Sequence, residues 1–115
     1  MGVNLANIKR SYKYAMAEAG TTVDLLINNG PGSWDTYPGI PALPRKFAAH
    51  ELVPPLQQND VKLIILAEDM PAGVTRLKTR DRVRIEGREY TVEIGDYFSR
   101  QVKGVTVAVE SVVRG

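Results

Sequence analysis

Residues 80–94, "RDRVRIEGREYTVEI", alternate between charged and apolar positions around a central glycine. A two-residue period belongs to a strand with one wet face, and it predicts a β-hairpin. Val83, Ile85, Tyr90, Val92 and Ile94 then face a core, while Arg82, Arg84, Glu86, Glu89, Thr91 and Glu93 face outward. Gly87 supplies the positive φ that a tight hairpin turn needs. Residues 4–19 follow a different period. Leu5, Ile8, Tyr12, Ala15, Met16 and Ala19 recur at three- and four-residue steps, which predicts a helix with Asn4 as its N-cap and Gly20 as a left-handed stop.

The remaining elements follow from β-branched runs and turn signals. "TTVDLLI" (21–27) predicts a strand. Residues 28–44, "NNGPGSWDTYPGIPALP", hold four prolines and three glycines with no usable period, and they predict a long loop. Residues 45–53 predict a strand entering the core, and 54–60 a turn. "VKLIILAED" (61–69) is the most apolar strand, with both faces expected to be covered. Residues 70–79 and 94–104 read as irregular connections. "VTVAVESVV" (105–113) alternates until Ser111, where the phase break predicts a bulge or a strand end. The expected fold is therefore a single, mainly β domain over residues 1–115. It has an N-terminal α-helix (about 4–19) followed by a small antiparallel β-barrel or sandwich (about 21–113), of five to six strands with long loops.

Composition narrows the function. The chain has 115 residues, 43% of them hydrophobic and 24% charged, as in an ordinary globular protein of one domain. Fifteen basic and thirteen acidic residues leave a formal charge of only +2, far from the dense positive field of a dedicated nucleic-acid binder. There is no cysteine, which removes disulfide and thiolate chemistry and suits a reducing compartment. No secretory leader and no span of roughly 20 apolar residues is visible, so a soluble, cytoplasmically made protein with no membrane partner is expected.

Candidate chemistry is sparse. The single histidine, His50, has Glu51 beside it, which a strand would turn to the opposite face, so no metal site is expected. No serine lies in a nucleophile-elbow context, and "NGPGSW" matches neither phosphate-binding glycine pattern. Glu68 and Asp69 read as strand-end solubility, "KTRDR" (78–82) as a solvated entry to the hairpin, and Tyr12 as a core residue. The expectation is a non-enzyme with no catalytic, cofactor-binding or metal residues. The candidate interface residues are Trp34, Tyr37 and Ile40 in the long loop, Arg76, Lys78 and Arg80 in the next connection, and Arg84 and Arg88 on the hairpin. Trp34 and Tyr37 have a second reading, as a lid folded back over the barrel core.

Three stretches of the C-terminal half carry a resemblance: "VKLIILAEDMP", "LKTRDRVRIEGREYTVEIGD" and "GVTVAVESVVRG". An apolar strand ending in "AEDMP", a D-R-V-x-I-x-G-x-x-Y-T-V hairpin and a valine-rich strand ending in "VRG" resemble the head-closure, or head–tail connector, neck proteins of tailed bacteriophages. The likeness covers residues 61–115, and the N-terminal part only by layout. It implies a compact β-barrel with long loops that assembles as a homo-oligomeric ring, a hexamer or dodecamer, in the virion neck after synthesis in the host cytoplasm. Its partners would be further copies of itself, the portal or adaptor protein and a tail protein, with DNA passing through the channel without sequence-specific binding. A near-neutral chain suits such a channel, because strong lumenal positive charge would hold the phosphate backbone. A tail-terminator or other tail-side ring protein is the alternative, and a nucleic-acid-binding small barrel is a more distant one.

Overall fold

The computed structural model describes residues 5–102 and 104–115. The helix α1 (Leu5–Ala19) precedes six strands: β1 (Thr21–Gly30), β2 (Ser33–Lys46), β3 (Val61–Leu66), β4 (Arg82–Ile85), β5 (Arg88–Val102) and β6 (Val105–Arg114). All pairings are antiparallel, and the strands close into a barrel in the order β1-β2-β3-β6-β5-β4. The mainly β class with one N-terminal helix holds, in its barrel form. The proposed Asn4 cap lies outside the described residues.

Where a long loop was expected over 28–44, the chain forms a hairpin. β1 runs to Gly30, a two-residue Pro31–Gly32 turn follows with Gly32 at φ +68°, and β2 returns from Ser33. Prolines are compatible with this strand because of where they fall. Pairing passes from Val23↔Ile40 to Leu25↔Tyr37, so Pro38 and Gly39 form a bulge opposite the single residue Asp24. Gly39 takes φ +71° there, and its N–H donates to Asp24 Oδ1 at 3.3 Å. β2 joins β3 only over Leu43–Lys46, so its first half pairs with β1 alone and tolerates residues that lack an N–H. The strand expected over 45–53 therefore ends at Lys46. Phe47 is buried, Glu51 Oε1 accepts the Ala48 N–H at 2.8 Å, and Ala49–Glu51 form a single 3₁₀ turn.

The connection expected over 94–104 is likewise strand. β5 pairs with β4 through Arg88–Thr91 and with β6 out to Val102. Its register slips between Ile94↔Val112 and Phe98↔Glu110, which leaves Gly95–Tyr97 as a bulge opposite Ser111. Ser111 does not end β6. Its buried hydroxyl donates to the Gly95 carbonyl at 2.7 Å and fills the defect on the facing strand. Gly95 also lies against the connection between β3 and β4, where a Cβ would meet the Leu77 carbonyl oxygen at 2.0 Å.

Two apolar clusters result. Inside the barrel, Val23, Leu25, Leu63, Ile65, Val83, Val92 and Val113 are buried together with Leu77. On the outer face, Leu43, Ile64, Leu66, Val107 and Ala108 pack under Ile8, Tyr12, Ala15 and Met16 of α1. β3 thus has both faces covered, as its unbroken apolar run predicts. The β4–β5 hairpin turns through Glu86 (φ +50°) and Gly87 (φ +80°), a mirror-image turn matched to the twist of its strands. Gly20 stops α1 for a reason other than the expected left-handed cap. Its φ is not positive, but a Cβ there would lie 2.5 Å from the Met16 carbonyl oxygen and 3.0 Å from that of Ala42.

Candidate functional site

The barrel interior is filled by aliphatic side chains, and the polar groups buried around it hold the chain in place. Asp81 is 1% exposed, and its carboxylate accepts the backbone N–H groups of Asn28 at 2.9 Å and Lys78 at 2.8 Å. That carboxylate ties the β1–β2 hairpin and the 70–81 connection to the start of β4. Asp60, also 1% exposed, accepts two bonds from the Arg114 guanidinium at 2.7 and 3.0 Å and one from the Gln57 N–H at 2.9 Å. Arg114 also donates to the Pro55 carbonyl and lies 3.6 Å from Glu93, so one side chain near the end of the chain closes the 54–60 turn.

The Arg114 hydrogen bonds hold the Asp60 carboxyl below its ordinary range, helped by the Gln57 N–H and opposed by burial. A depressed folded-state value favours the ionised form on folding. Its stabilisation is complete above the unfolded value of about 3.9 and is lost as pH falls through the lower folded value. Thermal melts of the wild type and Asp60→Asn should therefore differ by a constant amount from pH 7 to about 5, and the difference should shrink below about pH 4. A difference that grew on acidification would contradict this role.

The β1–β2 hairpin reaches beyond the rest of the barrel wall. β4 accompanies β1 only from Val23 to Leu26, so Asn28–Gly30 and Ser33–Trp34 pair with each other alone. The half-buried Trp34 ring stacks under the Arg82 guanidinium at 4.8 Å, and Arg82 in turn bonds Glu89 at 2.8 Å. This chain of contacts braces the indole near the tip. Tyr37 and Ile40 lie further down β2 and pack against the interior cluster as part of the barrel wall; of the two residues in the lid reading, Tyr37 touches that cluster and Trp34 stacks with Arg82 instead.

The basic candidates do not converge on one patch. Arg76 pairs with Asp96 at 3.1 Å and Arg84 with Asp24 at 3.6 Å. Lys78 and Arg80 are exposed on the connection that closes one end of the barrel, with Arg80 held at φ +82°. Arg88 stacks on Tyr90 at 5.3 Å, at the start of β5.

A groove that the sequence reading did not anticipate runs between α1 and the outer sheet face. It encloses about 560 Å³ and has an apolar floor at Leu43 and Ile64, with Phe98, Arg45 and Arg100 along its rim. Phe98 is 48% exposed on the part of β5 that β4 no longer accompanies. Lys62 on β3 and Glu110 on the adjoining β6 lie 3.8 Å apart in its lining, and Tyr12 forms part of the helical wall. Burial first, and Glu110 second, push the Tyr12 phenol above its ordinary range. The only signal for this groove in the sequence is the pair Tyr97–Phe98, which falls in a stretch that reads as a connection.

His50 is exposed on its 3₁₀ turn, and Glu68 is occupied by Lys13 at 3.0 Å and Lys9 at 3.8 Å. Among the described residues no group of three or more His, Cys, Asp or Glu side chains is arranged to hold a metal ion, and no helix is long and apolar enough to cross a membrane. No protein-family model, curated protein or solved structure matches the chain.

Proposed function

We propose that this chain is a structural assembly protein. It forms a homo-oligomeric ring in the neck of a tailed bacteriophage and joins the portal or adaptor to the tail. The observation that carries the reading is the braced β1–β2 hairpin, which extends past its neighbouring strand on an otherwise closed barrel and presents Trp34 near its tip. A rigid aromatic projection on a filled barrel suits docking, where Trp, Tyr and Arg dominate contact energies. The resemblance over residues 61–115 supports the same reading, since its pattern falls on β3, the β4–β5 hairpin and β6. The basic residues of the outer hairpin are paired with acids of the same chain, Arg82 with Glu89 and Arg84 with Asp24 of β1, and such a mixed-sign face suits contact between copies better than phosphate binding. Omitting the chain from an otherwise complete particle assembly should leave DNA-filled heads and finished tails unjoined, as seen by negative-stain microscopy. Tailed particles in normal numbers would refute the proposal.

A further inference from the structure

Strand register places the residues of the groove under α1 in rows on the outer sheet face. Leu43, Ile64, Glu110 and Phe98 are successive partners across β2, β3, β6 and β5, and they make one row across the groove. Arg45 stands two residues to one side of that row, where β2 pairs with Lys62. Arg100 stands two residues to the other side, where β5 pairs with Ala108 of β6. Three strand spacings of about 4.8 Å and four residues of about 3.3 Å therefore separate the two arginines along a diagonal of roughly 20 Å. Between them lie the aliphatic floor and the exposed ring of Phe98.

The charge of the groove is one-sided. Its lining holds three cations, Arg45, Lys62 and Arg100, against the single acid Glu110, an excess equal to the formal charge of +2 on the whole chain. Lys62 is already shared between Glu51 and Glu110, at 3.8 Å from each. Arg45 and Arg100 are exposed, and neither has an ion pair among the described residues. The groove thus has an apolar middle and a guanidinium group left for a ligand at each end. Guanidinium forks match carboxylates, and charge of the opposite sign at both ends would fix a partner's register.

We infer that this groove is a docking site for an extended acidic segment of a partner protein, with apolar side chains over Ile64 and Phe98 and one carboxylate at each of Arg45 and Arg100. In an extended chain every second side chain points the same way, and residues six apart stand about 20 Å from one another, the span between the two arginines. The fitting pattern is therefore an acid, two apolar residues and a second acid at alternate positions, with the residues between them facing solvent. This surface is separate from the self-association of the proposed ring, and the chain by itself suffices to test it.

The probe is a fluorescein-labelled peptide of seven residues, with glutamate at both ends, leucine at the third and fifth positions and serine elsewhere. Two control peptides carry lysine for the glutamates or serine for the leucines. In fluorescence anisotropy the probe should bind the full chain at least about tenfold more tightly than either control. Arg45→Glu and Arg100→Glu should each weaken the probe at least about tenfold. The double variant should instead prefer the lysine-ended peptide, a reversal that an unfolded protein could not produce. Equal binding of all three peptides, probe binding that both substitutions leave unchanged, or a double variant without the reversal would overturn the site and leave the ring reading standing.

Discussion

Gly95→Ala is expected to lower the stability of the barrel by about 3 kcal/mol, the upper end of the usual cost of overpacking a core. That corresponds to a drop of roughly 12 °C in melting temperature for a domain of this size. The added methyl carbon would sit 2.0 Å from the Leu77 carbonyl oxygen, 2.6 Å from its carbon and 2.9 Å from the Lys78 Cα. All three are main-chain atoms, so no side-chain rotation relieves the clash. Either β5 withdraws and loses the Ser111 hydrogen bond to Gly95, or the 70–81 connection lifts and exposes Leu77, now 2% accessible. Circular dichroism melts measure the loss, and limited proteolysis between residues 70 and 81 shows which segment moves. A melting temperature within a few degrees of the wild type would mean that this close approach does not hold the barrel end shut.

The second large effect is expected at Asp81. Removing the carboxylate in Asp81→Ala leaves the Asn28 and Lys78 N–H groups without their acceptor in a site that is 1% exposed. Hydrogen bonds to a charged group contribute roughly 1.5–3 kcal/mol each, so a loss of about 3–4 kcal/mol is expected in denaturant titrations. Asp81→Asn keeps one oxygen but points an amide donor at a second donor, and it should lose about half as much. Asp81 and Gly95 both hold the connection at the Leu77–Lys78 main chain, so the double variant should cost less than the two single losses added together. Strict additivity would contradict that shared role.

The legible parts of this fold were those with an unbroken period. The helical stripe through Ile8, Tyr12, Ala15 and Met16 and the alternation through Val83, Ile85, Tyr90 and Val92 each met one partner surface along their whole length. β2 was illegible because it changes partners. Its first half pairs with β1 across a proline-bearing bulge and its last four residues pair with β3, so no single alternation describes it. β5 was masked in the same way by the bulge at Gly95–Tyr97, beyond which Phe98 resumes pairing with β6. The buried role of Asp81 was hidden because its partners are backbone N–H groups, one of them on β1, 53 residues away. The groove needed α1, β2, β3, β5 and β6 brought together, which no local pattern announces.

The residues behind the family resemblance are largely folding residues. Asp81 holds the entry to β4, Gly87 turns the hairpin, and Val92 fills the barrel. They specify the platform. The proposed work of assembly falls to segments that extend from it, and above all to the tip bearing Trp34. Cryo-electron microscopy of the neck of a tailed particle that encodes this chain tests that division of labour most directly. The expected map holds a ring of six or twelve copies of this barrel between the portal or adaptor and the tail, each β1–β2 tip engaged with a neighbour. A neck whose density is fully accounted for by other chains would contradict it.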